Sequence, residues 1–264
     1  AFGDVTSQSI FPAEHFSSAQ ITARQDMVIC GLEIAKSVFL RLDPDLKISL
    51  EAKDGERVAN GAVVMRAEGS TIALLTAERT ALNFLMHLSG IATLTARFVE
   101  RAAPLRVWDT RKTTPGLRAL EKAAVRAGGG AAHRGNLSDW IMLKDNHLAG
   151  SSITDAVARS RELWPARTVH VECDRPEQVS EALDAGADAL LLDNMTPAEV
   201  ASAVEAAQAH TASPLVEVSG GIDLETVGSY ADTGADIVST SAVTLSAPAF
   251  DLGMDLDPSE VTES

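Results

Sequence analysis

The chain has 264 residues, a formal net charge of −15, and 45% hydrophobic against 22% charged residues. That length and balance bury a full core in one large domain, or one large and one small, and exclude a disordered tail. Apolar runs are broken by charge well short of the roughly 18–20 residues that span a bilayer, and the acidic excess, with 4% aromatic residues, argues against a nucleic-acid partner.

Residues from about 1 to 75 are expected to form strands and turns, with Asp54-Gly55 and Asn60-Gly61 turning the chain around Leu46–Leu50 and Val63–Arg66. From Leu75 to about Ala102 the apolar spacing becomes helical, with Thr76 as the expected cap and Ser89-Gly90 as an expected interruption. Beyond this, short β-rich runs alternate with helical stretches. The strands are predicted at Leu105–Asp109, Trp140–Lys144, Thr168–Glu172, Asp188–Asp193, Leu215–Ser219 and Asp236–Ser239; the clearest helices are Pro176–Ala185, Pro197–Ala209 and Leu224–Thr233. The later strand starts lie about 20–27 residues apart, the spacing of βα units, so a parallel barrel and a doubly wound sheet are the two candidates.

Polar strand ends favour the barrel. Asp109, Lys144, Glu172, Asp193 and Ser219 each close an apolar run, and a barrel assembles its site from the C-terminal ends of many strands. A doubly wound sheet would instead carry a glycine fingerprint after its first strand. Gly128-Gly129-Gly130 follows a helix, so no dinucleotide site is expected.

Positive charge is concentrated. Between Arg106 and Asp145 eight basic residues face four acidic ones, a local balance of +4, which leaves −19 for the rest of the chain. A small polyanion is the simplest partner for such a stretch. Cys30 and Cys173 are the only cysteines and are expected to be reduced packing residues. The segment Ala1-Phe2-Gly3-Asp4 lacks the basic and apolar regions of a secretory signal, so a cytoplasmic address is the default.

The densest chemical signal is Asp109-Thr-Arg-Lys-Thr-Thr-Pro-Gly116, with His133-Arg134 and Leu143-Lys-Asp-Asn-His147 behind it. Together with Thr76-Ala-Glu-Arg-Thr80, Leu88-Ser-Gly-Ile-Ala-Thr93, Val171-Glu172, Leu192-Asp-Asn194 and Ser219-Gly-Gly221, this pattern resembles the quinolinate phosphoribosyltransferase family from about Gly3 to Asp251. The resemblance implies an incomplete parallel α/β barrel over 101–246. It also implies a smaller α+β sheet domain over 1–100, completed by about 247–264.

It further implies a decarboxylating transfer of phosphoribosyl from phosphoribosyl pyrophosphate to quinolinate, a step of NAD biosynthesis. Arg79, Arg111, His133, Arg134 and Lys144 would hold quinolinate, with Arg79 reaching in from a neighbouring subunit of a homodimer or higher oligomer. Lys112 would act near the donor phosphates, Glu172 and Asp193 would orient the ribose and its Mg²⁺, and Ser219, Gly220, Gly221, Ser241 and Ala242 would receive the 5′-phosphate. The residue types make chemical sense, because arginine donates two parallel hydrogen bonds to a carboxylate and Mg²⁺ takes one or two carboxylates beside substrate phosphates. The Gly220-Gly221 turn is expected to open a helix whose dipole faces the phosphate.

The pattern departs from the family at three positions. Ser241 stands where members usually carry glycine, Leu245 where they carry histidine, and Ala132 where they carry asparagine. All three touch the donor side. Two other readings remain: a molybdenum-associated protein that shares the fold, and a non-catalytic barrel that binds small anions.

Overall fold

A computed structural model describes residues 3–257. The first part of the chain forms α1 (Val5–Ile10), β1 (Phe16–Ala23), β2 (Met27–Val28), α2 (Leu32–Leu42), β3 (Lys47–Leu50), β4 (Arg57–Val58), β5 (Val63–Ser70) and α3 (Thr71–Ala102). Then follow β6 (Arg106–Trp108), α4 (Arg118–Ala127), β7 (Ile141–Leu143), α5 (Asp145–Leu148), α6 (Ile153–Leu163), β8 (Val169–Cys173), α7 (Pro176–Asp184) and β9 (Ala189–Asp193). The last elements are α8 (Pro197–Ala209), β10 (Leu215–Ser219), a 3-10 helix (Val227–Thr233), β11 (Ile237–Ser239), α9 (Ala242–Leu245) and β12 (Leu252–Leu256). The chain divides into two compact units. One comprises residues up to Leu94, Arg126–Gly129 and the chain from Ala247 on; the other comprises Thr95–Val125 and Gly130–Ser246.

In the first unit an antiparallel sheet in the order β12-β1-β5-β3 buries one face. Alternate residues of β1 are buried, as a half-covered strand requires, and Ile21 lies opposite Met65 on one side and Met254 on the other. Leu32, Phe39, Leu74, Leu82 and Leu85 complete the core with these. The C-terminal strand β12 is thus an edge of the N-terminal sheet; positions 258–264 of the expected completing segment lie outside the described residues.

Helix α2 is absent from the sequence expectation of strands and turns. Its buried residues Leu32, Ala35 and Phe39 have helical spacing, but its N-cap is Gly31, which has no side chain to mark a start. The cap comes instead from Asp54, whose Oδ1 accepts the Gly31 and Leu32 amides at 3.0 and 3.1 Å.

Helix α3 runs through both positions where a boundary was expected. Thr76 lies inside it, with its hydroxyl donating to the Ile72 carbonyl at 2.6 Å. At Ser89-Gly90 the helix is continuous for a tertiary reason. The Ser89 hydroxyl accepts the Cys30 amide at 3.0 Å, and one turn later Thr93 accepts the Val28 amide at 2.9 Å, so two helix hydroxyls satisfy amides of the segment at and just after β2, which pairs with β4. Gly90 lets the Pro248 carbonyl approach, and a Cβ would collide with it. Gly90→Ala is therefore expected to destabilise the protein by about 1–3 kcal/mol despite alanine's better helix propensity; a denaturant midpoint equal to or above that of the parent would contradict the close approach.

The second unit is an all-parallel sheet in the order β6-β11-β10-β9-β8-β7. Strands β7 to β11 are neighbours in chain order and β11 returns to β6, so only the β6–β7 pairing is missing from a closed barrel. The free edge of β6 is partly covered by Ala131, whose amide donates to the Val107 carbonyl at 2.8 Å and whose carbonyl accepts the Asp109 amide at 3.2 Å. This is the incomplete α/β barrel expected from the sequence.

Local signals explain the matched elements. Helices α7 and α8 begin with proline at the first turn, and Thr196 and Glu199 form a reciprocal capping box on α8. A Gly-Ala-Asp triplet recurs before β9 and β11. Asp188 accepts the Val169 amide at 2.7 Å and Asp236 accepts the Val216 amide at 2.8 Å, each aspartate fixing the start of the neighbouring strand. The predicted helix Leu224–Thr233 is a shorter 3-10 helix, Val227–Thr233. Gly228, Ser229 and Asp232 are weak helix formers, and Asp223 ties down the amides of Glu225 and Thr226 at 3.0 and 2.9 Å.

Candidate active site

Because all six barrel strands are parallel, their C-terminal ends share one rim. Register sets neighbours there: Ser219 lies opposite Asp193 on β10 and β9, and Ser239 opposite Trp108 on β11 and β6. Lys144, just past β7, forms an ion pair with Glu172 of β8.

Not every cation of the basic stretch faces this rim. Lys122 donates to Asp109 at 2.6 Å and to the His133 carbonyl at 2.9 Å, and Asp109 also accepts the His133 amide at 2.7 Å. Asp109 is fully enclosed, and burial pushes its carboxyl up against the opposing pull of Lys122. Expected at the rim, it is instead the anchor of the His133-Arg134 backbone. Arg118 is a second brace, donating to the carbonyls of Arg111 and Gly135 at 3.1 Å each and to the Thr113 hydroxyl at 3.2 Å.

The braced segments bring Arg111 and Arg134 together. Arg134 is buried, and its guanidinium is pushed down from the ordinary arginine range first by that burial and then by the charge of Arg111; Asp139, Glu172 and Glu217 oppose the shift. Arg111 is half-buried, and its enclosed Nε has no hydrogen-bond partner among the described residues. Two like charges close enough to repel, with a donor unspent, are an arrangement that an anion would relieve. His133 is buried beside them, 4.9 Å from the Trp140 ring and 5.7 Å from Trp108. His147, by contrast, is spent locally, its Nδ1 accepting the Lys144 amide at 3.1 Å.

A cavity of about 220 Å³ opens beside this cluster's loop, lined by Lys112, Asp193, Ser219, Gly220, Gly221, Ser241 and Ala242, with the further hydroxyls of Thr110, Ser239 and Thr240. Its walls are tied together: Thr244 donates to the Lys112 carbonyl and Thr240 to the Ile222 carbonyl, each at 2.7 Å. Gly220 has φ +92, and a Cβ there would overlap the Asn194 side chain and amide; only glycine serves where two strand-end turns touch this closely. No helix starts at Gly221, since the next helical residue is Val227. The expected helix dipole is therefore absent, and hydroxyls, loop amides and Lys112 are the groups available to a phosphate.

The sequence and the fold that carry this rim are similar to those of known proteins. Residues 4–89 match the quinolinate phosphoribosyl transferase N-terminal domain and residues 91–255 its C-terminal domain. The chain belongs to the quinolinate phosphoribosyltransferase family. Among its relatives, a probable carboxylating nicotinate-nucleotide pyrophosphorylase of Bacillus subtilis is 41% identical over 96% of this chain and 88% of that protein. The carboxylating nicotinate-nucleotide pyrophosphorylase of Mycobacterium leprae is 38% identical over 96% and 91%. Among solved structures, the nicotinate-nucleotide pyrophosphorylase of Francisella tularensis superposes with a TM-score of 0.93 at 35% identity, covering 97% of this chain and 91% of that one. NadC from Streptococcus pyogenes gives 0.91 at 40% identity, covering 96% and 90%.

The family's enzymes are pentosyltransferases. Of its expected site residues, Arg79 alone belongs to the other compact unit, on an exposed position of α3 with its guanidinium 3.8 Å from Glu78. Ser241 and Leu245 both line the cavity, and Leu245 is exposed. Sequence reasoning missed two ionisable residues inside the barrel, His170 on β8 and Glu217 on β10. His170 stacks on Trp140 at 5.2 Å, and burial pushes its imidazole down to about 4, so it is neutral near pH 7. A signal was present: in Val169-His-Val-Glu172 and Val216-Glu-Val-Ser219 the apolar residues alternate with polar ones, and one face of a barrel strand must point inward.

Among the described residues, no helix is long and apolar enough to cross a membrane.

Proposed function

We propose that this chain joins quinolinate to phosphoribosyl pyrophosphate, releasing pyrophosphate and carbon dioxide and giving nicotinate mononucleotide. The observation that carries the reading is the meeting of Arg111 and Arg134, two mutually repelling guanidiniums, at a rim shared with a hydroxyl-lined cavity. A dicarboxylate relieves that repulsion, and the cavity suits the 5′-phosphate of the donor.

In this reading Arg111, Arg134, His133 and Lys144 hold the two carboxylates and aim the pyridine nitrogen at the ribose C1. Lys112 meets donor phosphates from the cavity side. The nitrogen's lone pair forms the new bond as the C1–pyrophosphate bond breaks. The positive charge of the pyridinium nitrogen then stabilises the electron pair left on C2 when its carboxylate departs as carbon dioxide, and that pair takes a proton from water to complete the ring. The protein's part is positioning and charge; no nucleophilic side chain is required.

Mg²⁺ fits as a partner of the donor. Among the described residues no three His, Cys, Asp or Glu side chains gather into a metal cage, whereas Glu172 and Asp193, at the ends of adjacent strands, offer the one or two carboxylates that a phosphate-bound Mg²⁺ uses. The ion would neutralise the leaving pyrophosphate. We further propose a cytoplasmic homodimer in which the exposed Arg79 completes the partner's site. Neither alternative reading is favoured: the relatives carry the names of carboxylating nicotinate-nucleotide pyrophosphorylases, and a mere anion trap has no use for Glu172 and Asp193 beside the cations.

Incubation with quinolinate, phosphoribosyl pyrophosphate and Mg²⁺ is expected to yield nicotinate mononucleotide and carbon dioxide in a one-to-one ratio, measured by chromatography and by release of label from the 2-carboxylate. Folded protein that forms no nucleotide, or forms it without losing the label, would overturn the reading.

A further inference from the structure

Glu217 lies inside the barrel, 1% exposed, two residues before the Ser219 turn. Buried carboxylates are ordinarily satisfied by several hydrogen bonds, yet neither oxygen of Glu217 has a hydrogen-bond partner among the described residues. The His133 ring lies against it, with Nε2 3.5 Å from Oε1 and likewise enclosed and without a hydrogen-bond partner among the described residues. Arg134 and His170 also feel its charge. Around His133, Asp109 and Lys122 hold its backbone, and Trp108 and Trp140 flank the ring with their own indole nitrogens unpartnered among the described residues.

An unsatisfied acid at this depth is costly unless a cation joins it. We propose that Glu217 is a positioning residue for the dicarboxylate, accepting the Nε2–H of His133 so that Nδ1 is left to donate to a quinolinate carboxylate. Both ring nitrogens then carry protons, so His133 acts as an imidazolium whose charge is balanced from beneath by Glu217. The buried acid thereby adds a cation to the floor of the anion site and fixes the ring's orientation, as outer carboxylates orient metal-bound histidines. This inference rests on the quinolinate reading above.

The test is Glu217→Gln, nearly isosteric and uncharged. Quinolinate Kd and KM are expected to rise at least about tenfold while the donor's KM stays within about twofold, and Glu217→Asp is expected to recover part of the loss. Unchanged quinolinate affinity, or equal losses for both substrates, would overturn the proposal. Should the glutamine variant not fold, ¹⁵N spectra of histidine-labelled parent protein carry the test: with quinolinate bound, both His133 nitrogens are expected to show protonated shifts, and a neutral single tautomer would overturn it. A parent protein that does not bind quinolinate at all refutes the functional reading; a parent that binds normally beside an unaffected Glu217→Gln variant refutes only this inference.

Discussion

Arg111→Ala is expected to weaken quinolinate binding on the order of 100-fold, while donor affinity changes by no more than a few fold. Truncating one partner of an enclosed charge pair costs about 2–5 kcal/mol, and about 2.8 kcal/mol is a hundredfold in Kd. The same substitution should not harm the fold. Arg111 pushes the Arg134 guanidinium down, so its removal relieves a repulsion in the empty protein, and the melting temperature is expected to stay level or rise. A residue kept for stability would behave in the opposite way. Calorimetric titration with each substrate, paired with thermal unfolding, separates the two; equal losses for quinolinate and donor, or a clear fall in melting temperature with quinolinate affinity intact, would remove Arg111 from its role.

Gly220→Ala is expected to strike the other substrate. The residue has φ +92 and abuts Asn194, which itself has φ +57, so an added methyl must displace one of two turns that line the donor cavity. Non-glycine residues in such backbone cost of order 1–3 kcal/mol, and a shift of about 1 Å at a positioning element costs on the order of 100-fold in rate. The expected result is a loss of that size in kcat/KM for phosphoribosyl pyrophosphate, with quinolinate Kd within a few fold. Steady-state kinetics against each substrate provides the check; a variant with parental donor kinetics would show that the loop amides do not meet the phosphate.

The two substitutions divide the site as the sequence does. Strand ends and helix starts were legible where the signal is local. Leu215–Ser219 and Pro197–Ala209 coincide with their predicted limits, because a proline and a Thr-x-x-Glu box mark α8 and a run of branched residues marks β10. Failures arose where a distant group supplies the boundary. Helix α2 is capped by Asp54 from more than twenty residues away, and α3 passes through Ser89-Gly90 because Cys30 and Pro248 pack there. Neither contact has a trace in the neighbouring sequence.

The site followed the same division. Strand-end positions singled out Lys144, Glu172 and Asp193 as candidates, since parallel strands bring their ends to one rim, whereas Arg111 and Arg134 became candidates only through the resemblance to the family. Charge counting did not reveal that Arg118 and Lys122 are braces, because a guanidinium bound to carbonyls and one left for a ligand look alike in a sequence. Glu217 and His170 escaped notice for the converse reason: each sits between two valines, where an apolar strand was the simplest reading.

The central claim is that the rim recognises two carboxylates on one ring, so removal of one must be felt. Titration of the same protein with quinolinate and with nicotinate, which lacks the 2-carboxylate, measures this directly. Loss of a charge-assisted pair of hydrogen bonds is worth about 1.5–3 kcal/mol, so nicotinate is expected to bind roughly 10- to 100-fold more weakly. Equal affinities, or a preference for nicotinate, would contradict the assignment of Arg111, Arg134, His133 and Lys144 to a dicarboxylate.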